Sequence, residues 1–504
     1  MTDAIQQRKV WTGDRQFANT PGFANAPAAT AMPEGIETNS PVGRRNAIAE
    51  GVLFWLFLAA LAWLPFWQGS NDLRAWGVNA MLFPLLAIAY EWFLLSGGRP
   101  HPVALRKIAV PAALFLAVVL WIAVQVATST PRIVHSPLWT MAQDALAAAI
   151  AGSVSVDRDL TVQALVRLLT SASVFWLALQ FSRDAERANR LIVGIAVICV
   201  AYCVYGLFSF AIAPGNFLSA EQRRAAGFVS STFYNRNNFA TYAGLGAIVT
   251  LGLLLRLYRR SAVTVGPARL RIAQFIDTTG RGGALHLCGL VIVVVALLLS
   301  GSRGGIISAL FGGFVLLALT LAHGRKPAGR YEIVVLAAVV VMVVFIGFGD
   351  TFLGKIAQQG LGDESRMAIY RLTAGSIVEQ PVLGYGYGTF ADVFPIFRDR
   401  SVDTSGVWLM AHNTYLEVFQ GLGVLFGAML VVSVALLMLR CILGARRRKL
   451  QATFPYIAGS VGCLVAANAL VDFSLQIQAV TLTFVAVLGA GIAQSESSQL
   501  IVHD

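Results

Sequence analysis

The feature that most constrains this chain is a succession of long, uninterrupted apolar runs, such as Leu290 to Leu299 and Ile333 to Phe348. A membrane-spanning helix needs roughly 20 mostly apolar residues, whereas the strands of a transmembrane barrel would alternate apolar and polar residues. The runs therefore predict an all-α polytopic membrane protein with about twelve transmembrane helices. We expect these helices at about 48–67, 75–96, 108–127, 161–181, 191–213, 237–257, 284–301, 304–322, 332–349, 413–439, 454–472 and 476–494.

The composition excludes the other fold classes. Of the 504 residues, 57% are hydrophobic and only 13% are charged, whereas soluble chains carry about 45–50% apolar and about 25% charged residues. A soluble fold would have to expose much of this excess. Disorder over most of the chain is excluded, because disordered chains are poor in apolar residues.

The positions of the positive charges predict the topology. The net charge is +12, and 25 of the 38 Lys and Arg residues lie in the N-terminal tail and in alternate connections between the predicted helices. Basic residues accumulate in cytoplasmic loops, so both termini are expected in the cytoplasm. The charge surplus is then accounted for by topology, and no nucleic-acid partner is expected.

Three regions follow from this pattern. Residues 1–45 are polar and contain four prolines, which predicts a disordered cytoplasmic tail. Residues 46–496 form the membrane domain, and 497–504 form a short cytoplasmic tail. The longest outward-facing connection is 350–412, between the predicted ninth and tenth helices. Because long loops on one face of a bundle are usually functional, we expect the site there.

Metal and disulfide chemistry has little support in the sequence. The five cysteines, which are Cys199, Cys203, Cys288, Cys441 and Cys463, all lie within or beside apolar runs and are expected to be free thiols. The sequence Asp157-Arg158-Asp159 matches a D-x-D metal motif, but carboxylates at a helix start are also ordinary caps. We expect no metal and no cofactor.

Histidine gives the clearest candidate for proton transfer. The predicted topology leaves only His135 and His412 facing outward. His412 stands where the long loop enters the tenth helix, and a neutral imidazole there can act as a general base near pH 7. The alternative is a histidine that caps the helix or lies at the membrane interface.

Arginines on the same face are candidates for phosphate binding. Arg303 lies in a tight Ser/Gly hairpin at the outer end of the seventh helix, where a charge is costly and its guanidinium can grip phosphate oxygens; the alternative is snorkelling to headgroups. Arg366 and Arg371 lie on a predicted short helix of the long loop. Their alternative role is pairing with Asp363, Glu364 or Glu379.

Two polar stretches are candidates for binding a hydroxyl-rich ligand. Asn235, Arg236 and Asn237 precede the sixth helix, although they could equally form a polar helix N-terminus. Tyr385 and Tyr387 lie in a Gly/Tyr stretch that lacks the βαβ context of a dinucleotide site. That stretch is either a sugar-stacking loop or an ordered turn.

Taken together, these motifs resemble one family. The stretches S-x-S-R-G-G, F-Y-N-R-N-N-F-A, P-x-L-G-x-G-x-G-T-F and A-H-N-x-Y-L-E all lie on the predicted outer face. In this respect residues 225–440 are similar to the bacterial O-antigen ligase and exopolysaccharide polymerase superfamily. The residues near Asp472 resemble the polymerases of this group more loosely.

The resemblance implies a GT-C-like glycosyltransferase of the bacterial inner membrane that works without a metal. Such proteins pass a glycan whole from undecaprenyl pyrophosphate to an acceptor hydroxyl at the periplasmic face. His412, Arg303 and Arg366 would be catalytic, with Arg371 as the alternative to Arg366. The substrate-binding set would comprise Arg371, Asn235, Arg236, Asn237, Asn413, Tyr415, Glu417, Tyr385 and Tyr387.

Chemical reasoning agrees with this implication. Pyrophosphate is a good leaving group, arginines can stabilise its developing charge, and an imidazole can accept the proton of the attacking hydroxyl. Glu417 could orient that imidazole. The acceptor would be a second lipid-linked glycan in a polymerase or lipid A-core in a ligase; membrane lipids and a chain-length regulator are further expected partners.

A transporter and a structural scaffold are the two alternative classes of protein. A transporter or lipid-linked sugar flippase could also have twelve helices, but it would place ionisable groups near the bilayer midplane. The chain lacks an internal repeat, which argues against transporters built from repeated halves. A structural scaffold would not need the outward-facing polar motifs.

Overall fold

The computed structural model describes residues 41–212, 227–261, 269, 277, 279–323, 364–402, 407–446 and 452–495. The α-helices are α1 (Pro41–Trp63), α2 (Leu73–Ser96), α3 (Ala109–Val126), α4 (Pro137–Leu146), α5 (Arg158–Phe181), α6 (Ala185–Ile212), α7 (Arg236–Ser261), α8 (Ala284–Leu299), α9 (Arg303–His323), α10 (Glu364–Glu379), α11 (Phe390–Phe397), α12 (Thr414–Arg446), α13 (Thr453–Asn468) and α14 (Gln478–Ser495). The chain divides into two compact units, Met1–Ala49 and Glu50–Asp504, and the second contains α2 to α14.

The prediction of an all-α polytopic membrane protein is confirmed. Within the described residues, nine helices are long and apolar enough to span a membrane, and α8 is a shorter apolar helix. The predicted span 454–472 corresponds to α13, which ends at Asn468. The predicted span 332–349, most of the N-terminal tail and the last residues of the C-terminal tail lie outside the described residues. Helix α1 begins at Pro41, inside the predicted tail.

Two helices form the centre of the bundle. The most apolar windows of α7 and α14 are each 89% buried, whereas those of the other seven candidate spans are 28–39% buried. Helix α14 packs mainly against α5 and α13, and α7 packs mainly against α8, α9 and α13. The outer helices turn large apolar side chains outward, as expected for lipid-facing surfaces.

Small residues let the central helices approach closely. A Cβ atom added at Gly246 of α7 would lie 2.6 Å from the Cβ atom of Cys199, and one at Gly252 would lie 2.3 Å from Ile457 Cγ1. Similarly, Gly305 at the start of α9 packs directly on Ala240 of α7. Small residues at helix contacts are typical of membrane bundles, where van der Waals packing drives association.

A buried ion-pair cluster lies at the end of the bundle where α2 finishes. Glu50 is 7% exposed; its carboxylate lies 3.4 Å from Arg99 Nη2 and also contacts Arg187. A buried carboxylate needs such partners, because leaving its charge unpaired would be costly. Arg99 and Arg187 both belong to the set of predicted connections that is rich in basic residues.

Candidate functional site

The candidate site lies at one end of the bundle, which we call the site end. Helices α7, α9, α12 and α14 begin there, and α13 finishes there. The residues after α13 link these elements: Thr414 N donates to Ala469 O over 2.9 Å, and Arg366 Nη1 donates to Val471 O over 3.2 Å. The turn from 469 to 473 is therefore the centre of the site.

His412 lies two residues before the start of α12 and adopts the left-handed backbone region, with φ of 55°. Its carbonyl accepts a hydrogen bond from Tyr370 Oη over 2.8 Å. The imidazole is 19% exposed, and the rings of Trp408 and Phe473 pack edge-on against it with centroids 6.0 and 4.8 Å away. Aromatic walls and limited exposure fix the ring while leaving it reachable.

Asp472 is the carboxylate beside this imidazole. Its Oδ1 atom lies 3.5 Å from His412 Nδ1, and its side chain is 4% exposed. Within the described part of the chain, neither atom has a hydrogen-bond partner, so the two face each other at ion-pair distance. With Nδ1 turned toward the carboxylate, Nε2 is the nitrogen left to accept a proton. The pair therefore has the arrangement of a general base with its orienting carboxylate.

Hydrogen bonds from neighbouring helices fix Asp472. Ser474 Oγ lies 2.8 Å from Asp472 Oδ2 and 3.1 Å from the buried Asn238 Oδ1. Thr241 Oγ1 lies 2.9 Å from the same Ser474 hydroxyl. Because Asn238 and Thr241 belong to α7, the carboxylate is tied to the most buried helix of the bundle.

Three arginines converge near this pair. Arg236 begins α7, Arg303 begins α9 and Arg366 lies in the first turn of α10; Arg236 experiences electrostatic repulsion from both of the others. The guanidinium carbon of Arg236 lies 3.7 Å from the centre of the Phe228 ring. Its Nη1 atom is buried without a hydrogen-bond partner in the described residues. Three clustered cations can hold a polyanionic ligand.

Local sequence explains where the arginines stand. Ser302 Oγ accepts a hydrogen bond from Gly305 N over 3.2 Å, so Ser302 caps α9 and Arg303 is the first residue of that helix. Gly301, with φ of 62°, makes the turn from α8. Asn235 Oδ1 accepts from Asn237 N over 2.8 Å at the start of α7. Asn235 therefore caps the helix, as a polar helix N-terminus would, and Asn237 lies in the first turn.

Arg366 and Arg371 differ in their surroundings. Arg366 contacts the turn that carries Asp472, whereas Arg371 Nη2 bonds Ser401 Oγ over 3.0 Å and lies 3.6 Å from Asp399. The Arg371 and Asp399 side chains are 67% and 50% exposed. The structure thus brings Arg366, and not Arg371, to the His412–Asp472 pair. Asp399, which was not among the predicted partners, supplies the ion pair of Arg371.

Several residues predicted to bind substrate contact the protein itself. Asn413 Nδ2 donates to Leu470 O over 2.9 Å while its Oδ1 accepts from Leu416 N over 3.1 Å, which caps α12. Tyr415 Oη donates to Ala466 O over 3.0 Å. These side chains hold α12 against α13 and so position His412 and Asp472.

Glu417 does not contact the imidazole that it was expected to orient. Its Oε1 atom accepts from Ala411 N over 2.6 Å, and its Oε2 atom accepts from Gln476 Nε2 over 2.8 Å. Asp472 takes the orienting position instead. Sequence reasoning missed Asp472, although a lone carboxylate in the predicted span 454–472 is the signal that marks such residues.

The Gly/Tyr stretch is an ordered turn. Tyr385 Oη donates to Ser376 O over 3.3 Å, and its ring packs edge-on against Phe397. Tyr387 packs on the apolar cluster between α3 and α12, and burial raises its pKa. A Cβ atom at Gly386, where φ is 109°, would lie 2.2 Å from Ser155 Oγ, so close backbone approach explains the glycine.

The D-x-D motif has a structural role at its first residue. Asp157 Oδ1 accepts from Leu160 N over 2.9 Å and caps α5. Arg158 stacks on Trp139, with its guanidinium carbon 4.8 Å from the ring centre. Burial and the neighbouring Asp157 raise the pKa of Asp392 in α11.

Comparison with known protein families finds a match, which covers part of the site. Residues 288–432 match the family model described as O-antigen ligase; this segment begins in α8 and contains Arg303, Arg366 and His412. No curated protein matches the chain. The matched segment thus includes three of the residues that converge at the site end, and this match supports membership of the O-antigen ligase and polymerase family.

Proposed function

We propose that this protein is an inverting, metal-independent membrane glycosyltransferase. It transfers a glycan whole from undecaprenyl pyrophosphate to an acceptor hydroxyl at the periplasmic face of the bacterial inner membrane. The observation that carries the proposal is the convergence of Arg236, Arg303 and Arg366 beside the His412–Asp472 pair. The three arginines suit an anionic leaving group, and the His412–Asp472 pair suits removal of a hydroxyl proton.

The reaction follows from these two groups. His412 Nε2 takes the proton of the acceptor hydroxyl as its oxygen attacks the anomeric carbon. The bond from that carbon to the pyrophosphate oxygen breaks, the configuration inverts, and undecaprenyl pyrophosphate leaves with the bonding electrons. The arginines stabilise the charge that develops on the leaving group. Asp472 stabilises the imidazolium that forms.

The acceptor is the finer part of the proposal. The residues around Asp472 favour a polymerase, in which the acceptor is a second lipid-linked glycan and a chain-length regulator is an expected partner. A ligase would use the same donor chemistry with lipid A-core as the acceptor. The GT-C-like fold and the cytoplasmic termini belong to the same proposal.

The test is transfer by the purified protein in detergent with a defined undecaprenyl-pyrophosphate oligosaccharide. Lipid-linked units and lipid A-core are offered separately as acceptors, with and without EDTA. We expect wild type to transfer in EDTA, and His412→Ala and Arg303→Ala to lose about 10²–10⁴ in rate. Mutants that fold and transfer like wild type would refute the assignment and make lipid-linked sugar transport the next function to test.

The two loop arginines provide a matched comparison within this assay. Arg366→Ala removes a cation beside the Asp472 turn, whereas Arg371→Ala removes a solvent-exposed cation paired with Asp399. We expect Arg366→Ala to lower the rate by about 10² and Arg371→Ala to change it little. The reverse order would assign the phosphate contact to Arg371.

A further inference from the structure

One half-buried cation at the site end has no part in the proposed reaction. Arg167 lies on α5, a candidate membrane span, more than two turns from the start of the helix. A charge within such a span is costly and is kept where it has a role. Its interactions lie with α2, with Tyr387, with α12 and with the turn before α14, and those described include none with the three arginines of the site.

The surroundings of Arg167 place it against the support of the catalytic loop. Its guanidinium carbon lies 4.3 Å above the Trp76 ring, and Nη2 donates to the carbonyl of Gln476. It also attracts Glu417 electrostatically. Arg167 therefore favours the charged form of Glu417, against the effect of burial, and fixes the main chain that carries Gln476.

Glu417 and Gln476 bond to residues on either side of His412 in the sequence. Glu417 Oε2 accepts from Gln476 Nε2 over 2.8 Å, while Gln476 Oε1 accepts from Thr414 Oγ1 over 3.1 Å. The other oxygen of Glu417 accepts from Ala411 N over 2.6 Å. The residue immediately before His412 and the residue two positions after it are thus both tied to this network.

The backbone of His412 needs that support. A left-handed conformation is unfavourable for a non-glycine residue, and it persists only where neighbouring contacts hold it. The Ala411 amide is held by Glu417, and the His412 carbonyl is held by Tyr370 over 2.8 Å. Releasing the first of these would let the imidazole move away from Asp472.

We propose that Arg167 and Glu417 form a half-buried positioning pair that, through Gln476, holds His412 in its reactive orientation. Glu417 is then a positioning residue and not a sugar ligand. The effect on catalysis rests on the proposed function, whereas the effect on the placement of His412 does not.

The variants are Arg167→Met, which removes the charge and the donors, Arg167→Lys, which keeps the charge, Glu417→Gln and the double variant Arg167→Met/Glu417→Gln. A misplaced catalytic group costs about 10² in rate, so we expect kcat for Arg167→Met to fall by about that factor. The KM for donor should stay within about twofold, because the donor arginines are untouched. Arg158→Met, which removes a second Trp-stacked arginine of α5, should retain wild-type kcat.

Rescue and coupling separate positioning from general damage. Arg167→Lys should recover most of the lost kcat. The double variant should be no slower than the slower single variant, since both remove the same pair. A raised donor KM with unchanged kcat, additive losses, or no recovery by lysine would each overturn the proposal.

A second readout needs no transfer. Diethyl pyrocarbonate labelling, located by mass spectrometry, reports the accessibility of His412, with His135 as the reference within the same chain. Arg167→Met and Glu417→Gln should label His412 at least about threefold faster, in line with loosening of a mostly buried ring, and His135 at the wild-type rate. Unchanged His412 labelling overturns the proposal. If His412 labelling rises while wild type fails to transfer, only the proposed function is refuted.

Discussion

Replacing Asp472 by asparagine is the most informative single perturbation of the site. The substitution keeps the size of the side chain and removes its charge beside His412. Two unit charges 3.5 Å apart attract by about 5 kcal/mol at an effective dielectric constant of about 20. The transition state carries only part of the positive charge on the imidazole, so roughly half of this, about 2–3 kcal/mol, is lost.

Each 1.36 kcal/mol is a factor of about ten in rate, so we expect Asp472→Asn to lower kcat by about 10²-fold. The KM for donor should hardly change, because Arg236, Arg303 and Arg366 remain. The assay is transfer from the lipid-linked donor under saturating acceptor. Asp144→Asn, on the exposed face of α4, is the matched control and should behave as wild type.

One result would refute this reasoning. If Asp472→Asn keeps roughly a third or more of wild-type kcat while His412→Ala is inactive, the carboxylate does not support the base. A larger loss accompanied by a fall in thermal midpoint would point instead to the packing of the 469–473 turn. Measuring the thermal midpoint of each variant in detergent therefore belongs to the experiment.

Three further predictions concern the framework. Gly386→Ala should lower stability by about 1–3 kcal/mol, because its Cβ atom would clash at a left-handed position; Gly375→Ala, in open space on α10, should be neutral or stabilising in the same thermal melt. Glu50→Gln should cost about 1–3 kcal/mol by leaving two arginines without their carboxylate, and an unchanged melting temperature would contradict that. Asp392→Asn should raise the thermal midpoint slightly at pH 7. Burial and Asp157 raise the pKa of Asp392, so its ionisation destabilises the fold as the pH rises through that pKa. The gain should disappear below pH about 4, where the unfolded chain is also protonated.

The helices were predictable because the bilayer imposes one simple requirement. A run of apolar residues long enough to cross it must form a helix to satisfy its backbone groups, so α2, α5 and α7 fall close to the predicted ranges. Helix ends were less predictable. The eleventh predicted span continued through Asp472, whereas α13 ends at Asn468. Residues 469 to 472 instead belong to the turn at the centre of the site.

The candidate base could be found from the sequence, but its partner and several neighbours could not. His412 stood out because only two histidines faced outward in the predicted topology. A polar side chain near a helix start, however, can face a ligand cavity or a neighbouring backbone carbonyl, and the sequence does not distinguish them. Asn413 and Tyr415 bond to carbonyls of α13 and its following turn, a pairing set by three-dimensional packing.

The electrostatics of the site favour a carboxylate beside the proposed base. Helices α7, α9 and α12 all begin at the site end, and the N-terminus of a helix carries a partial positive charge. Together with three guanidinium groups, these ends favour an anionic leaving group. The same field opposes the formation of an imidazolium at His412. A general base at this position therefore needs a local counter-charge, and Asp472, nearly fully buried and 3.5 Å from Nδ1, supplies it on the side of the ring away from the nitrogen that takes the proton.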